Sequence, residues 1–286
     1  MRKVSGWRSL PGSVKAACFA IPAVLLAVIY IASPRTGKMA TPPVAASASA
    51  SLDYDLAAEV HGCPEGKGHQ GRRRCKHDGV VRVMGSGRSG PYSAVMASVG
   101  SETHASSILA LPSGDLLLAW FAGSGGQVEG GDSISITLSA LRAGSEQWTA
   151  PQVVSVETGR SAQNPVMFYD GAGSVHLWHT SQEAFMGQGT SEVRHLESRD
   201  QGRTWSAPEA VFREAGAFTR NQLLLGADGK AWLMPMYFTP DGYDVFNTHY
   251  SAIKRSEDAG KTWSQFDMTA AGEFLAQPTV IRLPSP

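Results

Sequence analysis

Two stretches of the chain share the pattern Ser-x-Asp-x-Gly-x-Thr-Trp: Ser198-Arg199-Asp200-Gln201-Gly202-Arg203-Thr204-Trp205 and Ser256-Glu257-Asp258-Ala259-Gly260-Lys261-Thr262-Trp263. They lie 58 residues apart, and five identical residues at identical spacing are very unlikely to coincide by chance. A repeat of this length indicates stacked structural units, such as solenoid turns or propeller blades.

The repeat extends beyond these octapeptides. A degenerate third copy, Trp148-Thr149-Ala150-Pro151, places its tryptophan 57 residues before that of the first octapeptide. A second feature keeps the same spacing: a polar start, an apolar run, a turn that contains glycine, and another apolar run. The polar starts are 59, 58 and 56 residues apart, at His104, Gln163, Asn221 and Gln277. The sequence therefore predicts three copies of one unit and the start of a fourth.

Each unit is predicted to hold about four short β-strands. Its apolar runs are joined by Asp-Gly or Ser-Gly turns, which indicates antiparallel hairpins. No helical stripe of useful length follows residue 100. Four-stranded units repeated radially form a β-propeller. Within the octapeptide, the aspartate side chain is suited to a hydrogen bond with the backbone of a turn. The glycine can adopt a positive φ, and the tryptophan is large enough to pack between two sheets.

The octapeptides resemble the Asp-box, or BNR, repeats of sialidases. Over roughly residues 95–286, the wider pattern is similar to the bacterial predicted-neuraminidase branch of that sialidase-like family. The matching segments, besides the two octapeptides, are His104-Ala105-Ser106, Trp120-Phe121, Glu129-Gly130-Gly131-Asp132, Gln163-Asn164-Pro165 and Gln277-Pro278-Thr279. The resemblance implies an all-β, six-bladed sialidase-type β-propeller. Asp boxes are structural turns, so they predict the fold and not the activity.

The length of the repeat region predicts an incomplete propeller. Six blades at this spacing need about 350 residues, whereas the region offers about 190. We therefore expect residues 91–286 to form about three blades plus one strand. Either the chain is a fragment with an open edge, or it is complete and closes by oligomerising.

The first 90 residues differ from the repeats. Basic residues precede an uncharged run over residues 16–32, intermediate in length between a signal-peptide core and a membrane span. Because no Ala-x-Ala site follows closely, we favour an uncleaved signal anchor over a cleaved signal. Residues 1–32 would then be a cytoplasmic basic tip and membrane helix, with the C-terminal domain outside the cytoplasm, in the periplasmic or extracellular space.

Residues 33–90 are predicted to be a linker followed by a basic tether. Residues 33–60 are rich in Ala, Ser and Pro. Farther along, Cys63 and Cys75 lie among histidines and arginines. Three interpretations stay open: a zinc site with two cysteines and two histidines, a local disulfide, or an unstructured basic tether with two free thiols.

The net charge of the chain limits the classes of partner that it can bind. With 25 basic and 25 acidic residues, the formal net charge is zero, which removes any global case for nucleic-acid binding. We predict no cofactor and no metal in the propeller. The expected partners are a glycan or glycoconjugate and, through residues 16–32, a membrane.

The resemblance implies catalytic candidates in the first unit. Sialidases hold an anionic sugar with three arginines and use an aspartate as acid/base and a tyrosine nucleophile activated by a glutamate. The segment that matches the first arginine's position reads Glu102-Thr103-His104-Ala105-Ser106 and contains no arginine. His104 in this segment can bond a hydroxyl or a carboxylate, or act as a general acid or base. The acid/base position falls in residues 123–132, where we predict Asp132 in that role with Glu129 as second choice or partner. No pattern places Tyr237 or Tyr243 as the nucleophile.

Later strand starts should face the same central funnel. The predicted substrate-binding residues are Gln163, Asn164, Arg220, Asn221 and Gln277. Amides suit sugar hydroxyls, and an arginine suits a carboxylate. The residues predicted to be structural are Ser198, Asp200, Gly202, Thr204, Trp205, Ser256, Asp258, Gly260, Thr262 and Trp263.

Three functional hypotheses follow. The first is an exported, membrane-anchored glycoside hydrolase of the exo-alpha-sialidase type, acting on an anionic or acetylated sugar and incomplete in this chain. The second is a non-catalytic carbohydrate-binding propeller, which the missing arginine favours. The third is an inactive fragment.

Overall fold

A computed structural model describes residues 14–17, 78–83, 92–97, 99–100, 102–123, 129–132, 134–226, 228–242, 244–268 and 274–283. Over these ranges the fold is all-β apart from two 3₁₀ turns, at Gln188–Thr190 and Phe246–Thr248. No helix there is long and apolar enough to cross a bilayer. The anchor predicted at residues 16–32 lies outside the described residues, except for Ala16 and Ala17, which belong to the first strand.

The described strands are numbered in chain order. They are β1 (Val14–Ala17), β2 (Arg82–Val83), β3 (Tyr92–Ser93), β4 (Glu102–Ala110), β5 (Leu116–Gly123), β6 (Ser135–Leu141), β7 (Gln152–Ser155), β8 (Arg160–Tyr169), β9 (Val175–Glu183), β10 (Glu192–Ser198), β11 (Glu209–Phe212), β12 (Ala217–Thr219), β13 (Leu224–Leu225), β14 (Trp232–Phe238), β15 (Tyr250–Ser256), β16 (Ser264–Asp267) and β17 (Thr279–Arg282).

Three antiparallel sheets follow one another along the chain. Sheet 1 has the order β4-β5-β6-β7, and sheet 2 the order β11-β10-β9-β8. Sheet 3 has the order β12-β14-β15-β16, with β13 also paired to β14. Each predicted copy of the repeat corresponds to one sheet, and β17, paired with β1, follows them.

The chain divides into two compact units. The larger contains the three sheets, in residues 98–143 and 149–286. The smaller comprises residues 22–97 and 144–148; its described part includes the β2–β3 hairpin and a bridge between Val80 and Gln147. The predicted Cys63 and Cys75 tether lies outside the described residues.

Apolar side chains from consecutive sheets form shared cores in the larger unit. The first core joins sheets 1 and 2 and includes Leu117, Phe121 and Leu177, all fully buried. The second joins sheets 2 and 3 and includes Trp178 and Met234. Burial of these side chains holds neighbouring sheets together.

The two octapeptides form the turns after β10 and β15. In the first, Asp200 Oδ1 accepts the backbone N–H groups of Arg203 and Thr204 at 3.0 and 2.8 Å, and Oδ2 accepts the Thr204 hydroxyl at 2.6 Å. Burial opposes ionisation of Asp200, but these bonds and one from Ser198 outweigh it and lower its pKa to about 2. Asp258 repeats the same bonds in the second turn, and its pKa is likewise about 2, chiefly because of Thr262.

The tryptophan of each octapeptide packs toward the preceding sheet. Trp205 packs against the core that joins sheets 1 and 2. Trp263 meets Trp178 and Phe212 of sheet 2 edge-on, at centroid distances of 6.5 and 5.5 Å. The repeated turn therefore contributes packing between sheets in both places.

Candidate functional site

The polar starts of the repeats carry an unusual backbone. In β4 and β8 the pairing register shifts just after His104 and Gln163. At those shifts Ala105 and Asn164 have φ values of 51° and 50°, and Gln277, just before β17, has a φ of 55°. Residues other than glycine seldom adopt this left-handed conformation, and such outliers concentrate at functional sites. Bulges there also redirect side chains.

Hydrogen bonds hold the starts of successive repeats side by side. The Thr219 hydroxyl donates to the carbonyl oxygen of Asn164 at 2.9 Å, which joins sheet 3 to sheet 2. The Asn221 amide donates to the carbonyl oxygens of Gln277 and Pro278 at 3.0 and 2.8 Å. Residues far apart in sequence are therefore fixed in one place.

Tyr237 on β14 is only 6% exposed, and side chains from two of these strand starts, Asn164 and Gln277, act on its hydroxyl. Burial raises the pKa of Tyr237, and the negative charge of Glu129 raises it further. The charge of Arg220 and side-chain hydrogen bonds with Asn164 and Gln277 act in the opposite direction. The hydroxyl therefore stays protonated, and four of the predicted residues influence it: Glu129, Arg220, Asn164 and Gln277.

Sequence reasoning missed Tyr237. It lies near the end of the apolar strand β14, and not at a strand start. Its ring stacks on Phe218 at 4.9 Å and 17°, as a core residue would. The available signal was a single polar hydroxyl in an otherwise apolar strand.

His104 and Glu129 form a half-exposed pair. Nδ1 of His104 lies 3.3 Å from Oε1 of Glu129, with 55% and 48% of the two side chains exposed. The edge of the imidazole rests on Phe121, at a centroid distance of 5.3 Å. Just after Glu129, the Gly130 N–H donates to the Ser161 hydroxyl at 3.2 Å, which ties this loop to sheet 2. An imidazole oriented by a carboxylate is suited to proton transfer.

Arg220 is partly exposed at the end of β12. The described residues give its guanidinium neither an ion pair nor a hydrogen bond, although it lies close enough to Tyr237 for its charge to act on that hydroxyl. An arginine guanidinium can bind a carboxylate through two parallel hydrogen bonds.

Two other predicted residues make different contacts. Asp132 is exposed, and its Oδ1 accepts the backbone N–H of Gly159 at 2.6 Å. Gln163 is buried and its amide donates to the Ser161 hydroxyl at 3.1 Å. The structure thus brings Glu129, not Asp132, into contact with His104.

Glu129 also lines an open cleft of about 710 Å³. No pattern in the sequence predicted it. Its lining residues are Glu129, Gly130, Gln182, Met186, Gly187, Gln188, Gly189, Thr190, Pro240, Asp241, Gly242, Asp244 and Val245. Over the part of the chain that the structure describes, no group of three or more His, Cys, Asp or Glu residues is arranged to hold a metal ion.

A family model described as "BNR repeat-like domain" matches residues 114–285. The chain belongs to this family. No curated protein sequence matches this BNR repeat-like chain.

Solved structures with the same type of fold include three sialidases or trans-sialidases. The NanB sialidase from Streptococcus pneumoniae is 10% identical with a TM-score of 0.51, over 62% of this chain and 45% of that one. The intramolecular trans-sialidase from Ruminococcus gnavus is 12% identical with a TM-score of 0.50, over 60% and 62%. The leech intramolecular trans-sialidase is 12% identical with a TM-score of 0.50, over 60% and 44%.

The match covers less than two thirds of each of these three structures, and less than half of two of them. At these identities the likeness concerns the fold, which is sialidase-like. Any activity has to be argued from the site of this BNR repeat-like chain itself.

Proposed function

We propose that this protein is an exported, membrane-anchored glycoside hydrolase of the exo-alpha-sialidase type that acts on an anionic sugar. The observation that carries the proposal is that side chains from two strand starts, Asn164 and Gln277, and the charge of Arg220 all act on the buried hydroxyl of Tyr237. The family and the sialidase-like fold support the class. The proposed architecture is a six-bladed propeller in which sheets 1 to 3 are blades.

Arg220 would bind the carboxylate of the sugar. Its planar fork of donors matches a carboxylate, and a neighbouring neutral tyrosine does not neutralise its charge. The amides of Asn164 and Gln277 lie at the same hydroxyl and suit sugar hydroxyl groups. Tyr237 is a positioning residue in this proposal, because it is buried and holds amides from two different repeats.

His104 and Glu129 would transfer the protons that glycoside hydrolysis requires. Hydrolysis of a glycoside needs an acid to protonate the leaving oxygen and then a base to activate water. Glu129 would hold the Nδ1 side of His104 and leave Nε2 facing the substrate. Asp132, the first choice from the sequence, is the alternative acid, although one of its oxygens is bonded to Gly159.

The test is hydrolysis of a fluorogenic sialoside and a panel of uronic-acid glycosides by the full chain. Because a positioned acid/base contributes roughly 100- to 10,000-fold, Glu129→Gln should lower kcat by at least about 100-fold with little change in KM. Asp132→Asn should lower kcat by less than about tenfold. The matched control is Glu209→Gln, at an exposed carboxylate on β11 that does not line the cleft.

The wild type hydrolysing none of these glycosides would contradict the proposal, as would full turnover by Glu129→Gln. A large fall of kcat in Asp132→Asn, without one in Glu129→Gln, would assign the role of the acid to Asp132.

A non-catalytic carbohydrate-binding propeller is the second candidate. His104 favours it, because the resemblance predicts an arginine at that strand start. A binding protein would show no turnover and would keep its affinity for the anionic sugar in Glu129→Gln, whereas the enzyme proposed above would lose turnover.

A further inference from the structure

The loop that carries Glu129 connects two strands of sheet 1, β5 and β6, but is fastened to sheet 2. Just after Glu129, the backbone of Gly130 is held on both sides. Its N–H donates to the Ser161 hydroxyl at 3.2 Å, and its carbonyl oxygen accepts the N–H of Phe185 at 2.7 Å. Ser161 belongs to β8, and Phe185 follows β9. Sheet 2 therefore sets the position of the acidic end of this loop.

Two further bonds fasten the end of the loop that leads into β6. Asp132 Oδ1 accepts the backbone N–H of Gly159 at 2.6 Å, and the carbonyl oxygen of Ile134 accepts the N–H of Ala162 at 3.3 Å. In three of these four contacts, sheet 2 or a turn beside it contributes a backbone N–H. Only at Ser161 does it contribute a side chain, so only that contact can be removed by substitution without altering the backbone.

The Ser161 hydroxyl is itself held in place. Ser161 is fully buried, and its oxygen accepts a second bond, from the side-chain amide of Gln163 at 3.1 Å. Gln163 is only 2% exposed. Rotation of the hydroxyl away from Gly130 would break a bond to a buried donor, which is costly. Ser161 is therefore a fixed point of attachment.

The loop also passes close to β9. Gly130 has a φ of 78°, and a Cβ on it would lie 3.1 Å from Nε2 of Gln182. With its N–H and its carbonyl oxygen both bonded, this residue has little freedom to turn. The carboxylate of Glu129, one residue earlier, is thereby held 3.3 Å from Nδ1 of His104.

We propose that Ser161 is a positioning residue for the proton transfer. Through the N–H of Gly130 it would keep the carboxylate of Glu129 against the imidazole of His104. The inference rests on the proposed function, in which Glu129 orients His104. Without the hydroxyl, the loop would stay attached at Gly159 and Ala162 but would be loosened at its acidic end.

The test is a double-mutant cycle in the full chain, with turnover of the fluorogenic glycoside as the readout. Ser161→Ala should lower kcat at least about tenfold and change KM less than about twofold, because a misplaced proton-transfer group slows the chemical step. In the Glu129→Gln background the same substitution should lower kcat less than about twofold, since the group that Ser161 positions is already removed.

The matched control is Ser139→Ala on β6. Ser139 is also fully buried, and its hydroxyl donates to the carbonyl oxygen of Thr149 at 2.7 Å. This variant loses a buried hydrogen bond as well, but it should keep the kcat of the wild type.

A second measurement does not depend on turnover. Hydrogen exchange of the Gly130 amide, followed by NMR, should be at least about tenfold faster in Ser161→Ala and unchanged in Ser139→Ala. Equal kcat losses in the two backgrounds, an unchanged kcat in Ser161→Ala, or an unchanged exchange rate at Gly130 would overturn the proposal. A wild type that hydrolyses none of the glycosides counts against the hydrolase alone, and the exchange rate at Gly130 then decides whether Ser161 holds the loop.

Discussion

At the scale of single residues, Tyr237 shows how burial and charge define a site. Burial of this phenol, reinforced by the negative charge of Glu129, raises its pKa, so that it stays protonated at neutral pH. It can therefore both donate and accept hydrogen bonds with the amides of Asn164 and Gln277.

His179 supplies a prediction about stability. It is fully buried in β9, where Nε2 lies 2.9 Å from the Ser155 hydroxyl and Nδ1 lies 2.9 Å from the carbonyl oxygen of Thr180. Burial lowers the pKa of His179 to about 4, whereas an unfolded histidine titrates near pH 6.5. Below about pH 6.5 the unfolded chain gains a proton that the folded chain does not. The free energy of unfolding should therefore fall between about pH 6.5 and pH 4, by up to about 3 kcal/mol.

Urea unfolding at a series of pH values measures this effect. His195 should add to it, because burial and the neighbouring His176 lower its pKa to about 4 as well. His179→Gln should lose part of the pH dependence in this window, because His195 and His176, whose pKa values burial also lowers, keep their contributions. An unchanged slope in the variant would show that His179 does not stay neutral in the folded protein.

At the scale of elements, the contribution of an octapeptide turn to stability can be divided into the backbone conformation of its glycine and the packing around that glycine. Gly202 has a φ of 78°, and a Cβ there would lie 2.8 Å from Leu117 of sheet 1. Gly171 has a φ of 80° in another turn, with nothing within 4 Å of the same position. It is the matched control for the backbone alone.

Both Gly171→Ala and Gly202→Ala should lower the free energy of unfolding by about 1 kcal/mol, because alanine is strained in the left-handed conformation. Gly202→Ala should lose a further 1 to 3 kcal/mol, roughly, because the methyl group crowds a fully buried leucine. Thermal or urea unfolding gives the difference between the two variants. Equal losses would mean that the turn does not fasten sheet 2 to sheet 1.

The strands and turns were largely predictable, because they rest on local patterns. Apolar runs separated by Asp-Gly turns anticipated β8, β9 and β14, and the repeat anticipated a four-stranded unit for each copy. The bulges were not predictable in the same way. An asparagine tolerates a left-handed conformation, but Ala105 gives no local signal for one. Its conformation is imposed by the pairing of the strands.

The candidate site was predictable only in part. The polar strand starts recur with the repeat, so the sequence nominated Asn164, Arg220 and Gln277. Tyr237 and the cleft depend on which strands lie beside one another, and no spacing along the chain reports that. The choice between Glu129 and Asp132 likewise depends on how one loop is anchored to sheet 2.

At the scale of the whole molecule, the larger unit combines a repeated scaffold with residues that do not repeat. The cores between consecutive sheets and the octapeptide turns are similar from copy to copy. The side chains at the strand starts differ: a histidine in the first repeat, glutamine and asparagine in the second, and arginine and asparagine in the third. The scaffold therefore places different chemical groups at the strand starts, and the consequence that we propose is a site for an anionic sugar.

The most direct test of that consequence is calorimetric titration of the full chain with sialic acid and glucuronic acid, each paired with its uncharged methyl ester. The wild type should bind one of the acids at least about tenfold more tightly than its ester, because Arg220 pairs with the carboxylate. Arg220→Gln should abolish that preference. Arg213→Gln, at an exposed arginine that pairs with Glu192 at 3.4 Å, should keep it. A preference for the acid that persists in Arg220→Gln, or is absent from the wild type, would contradict the account.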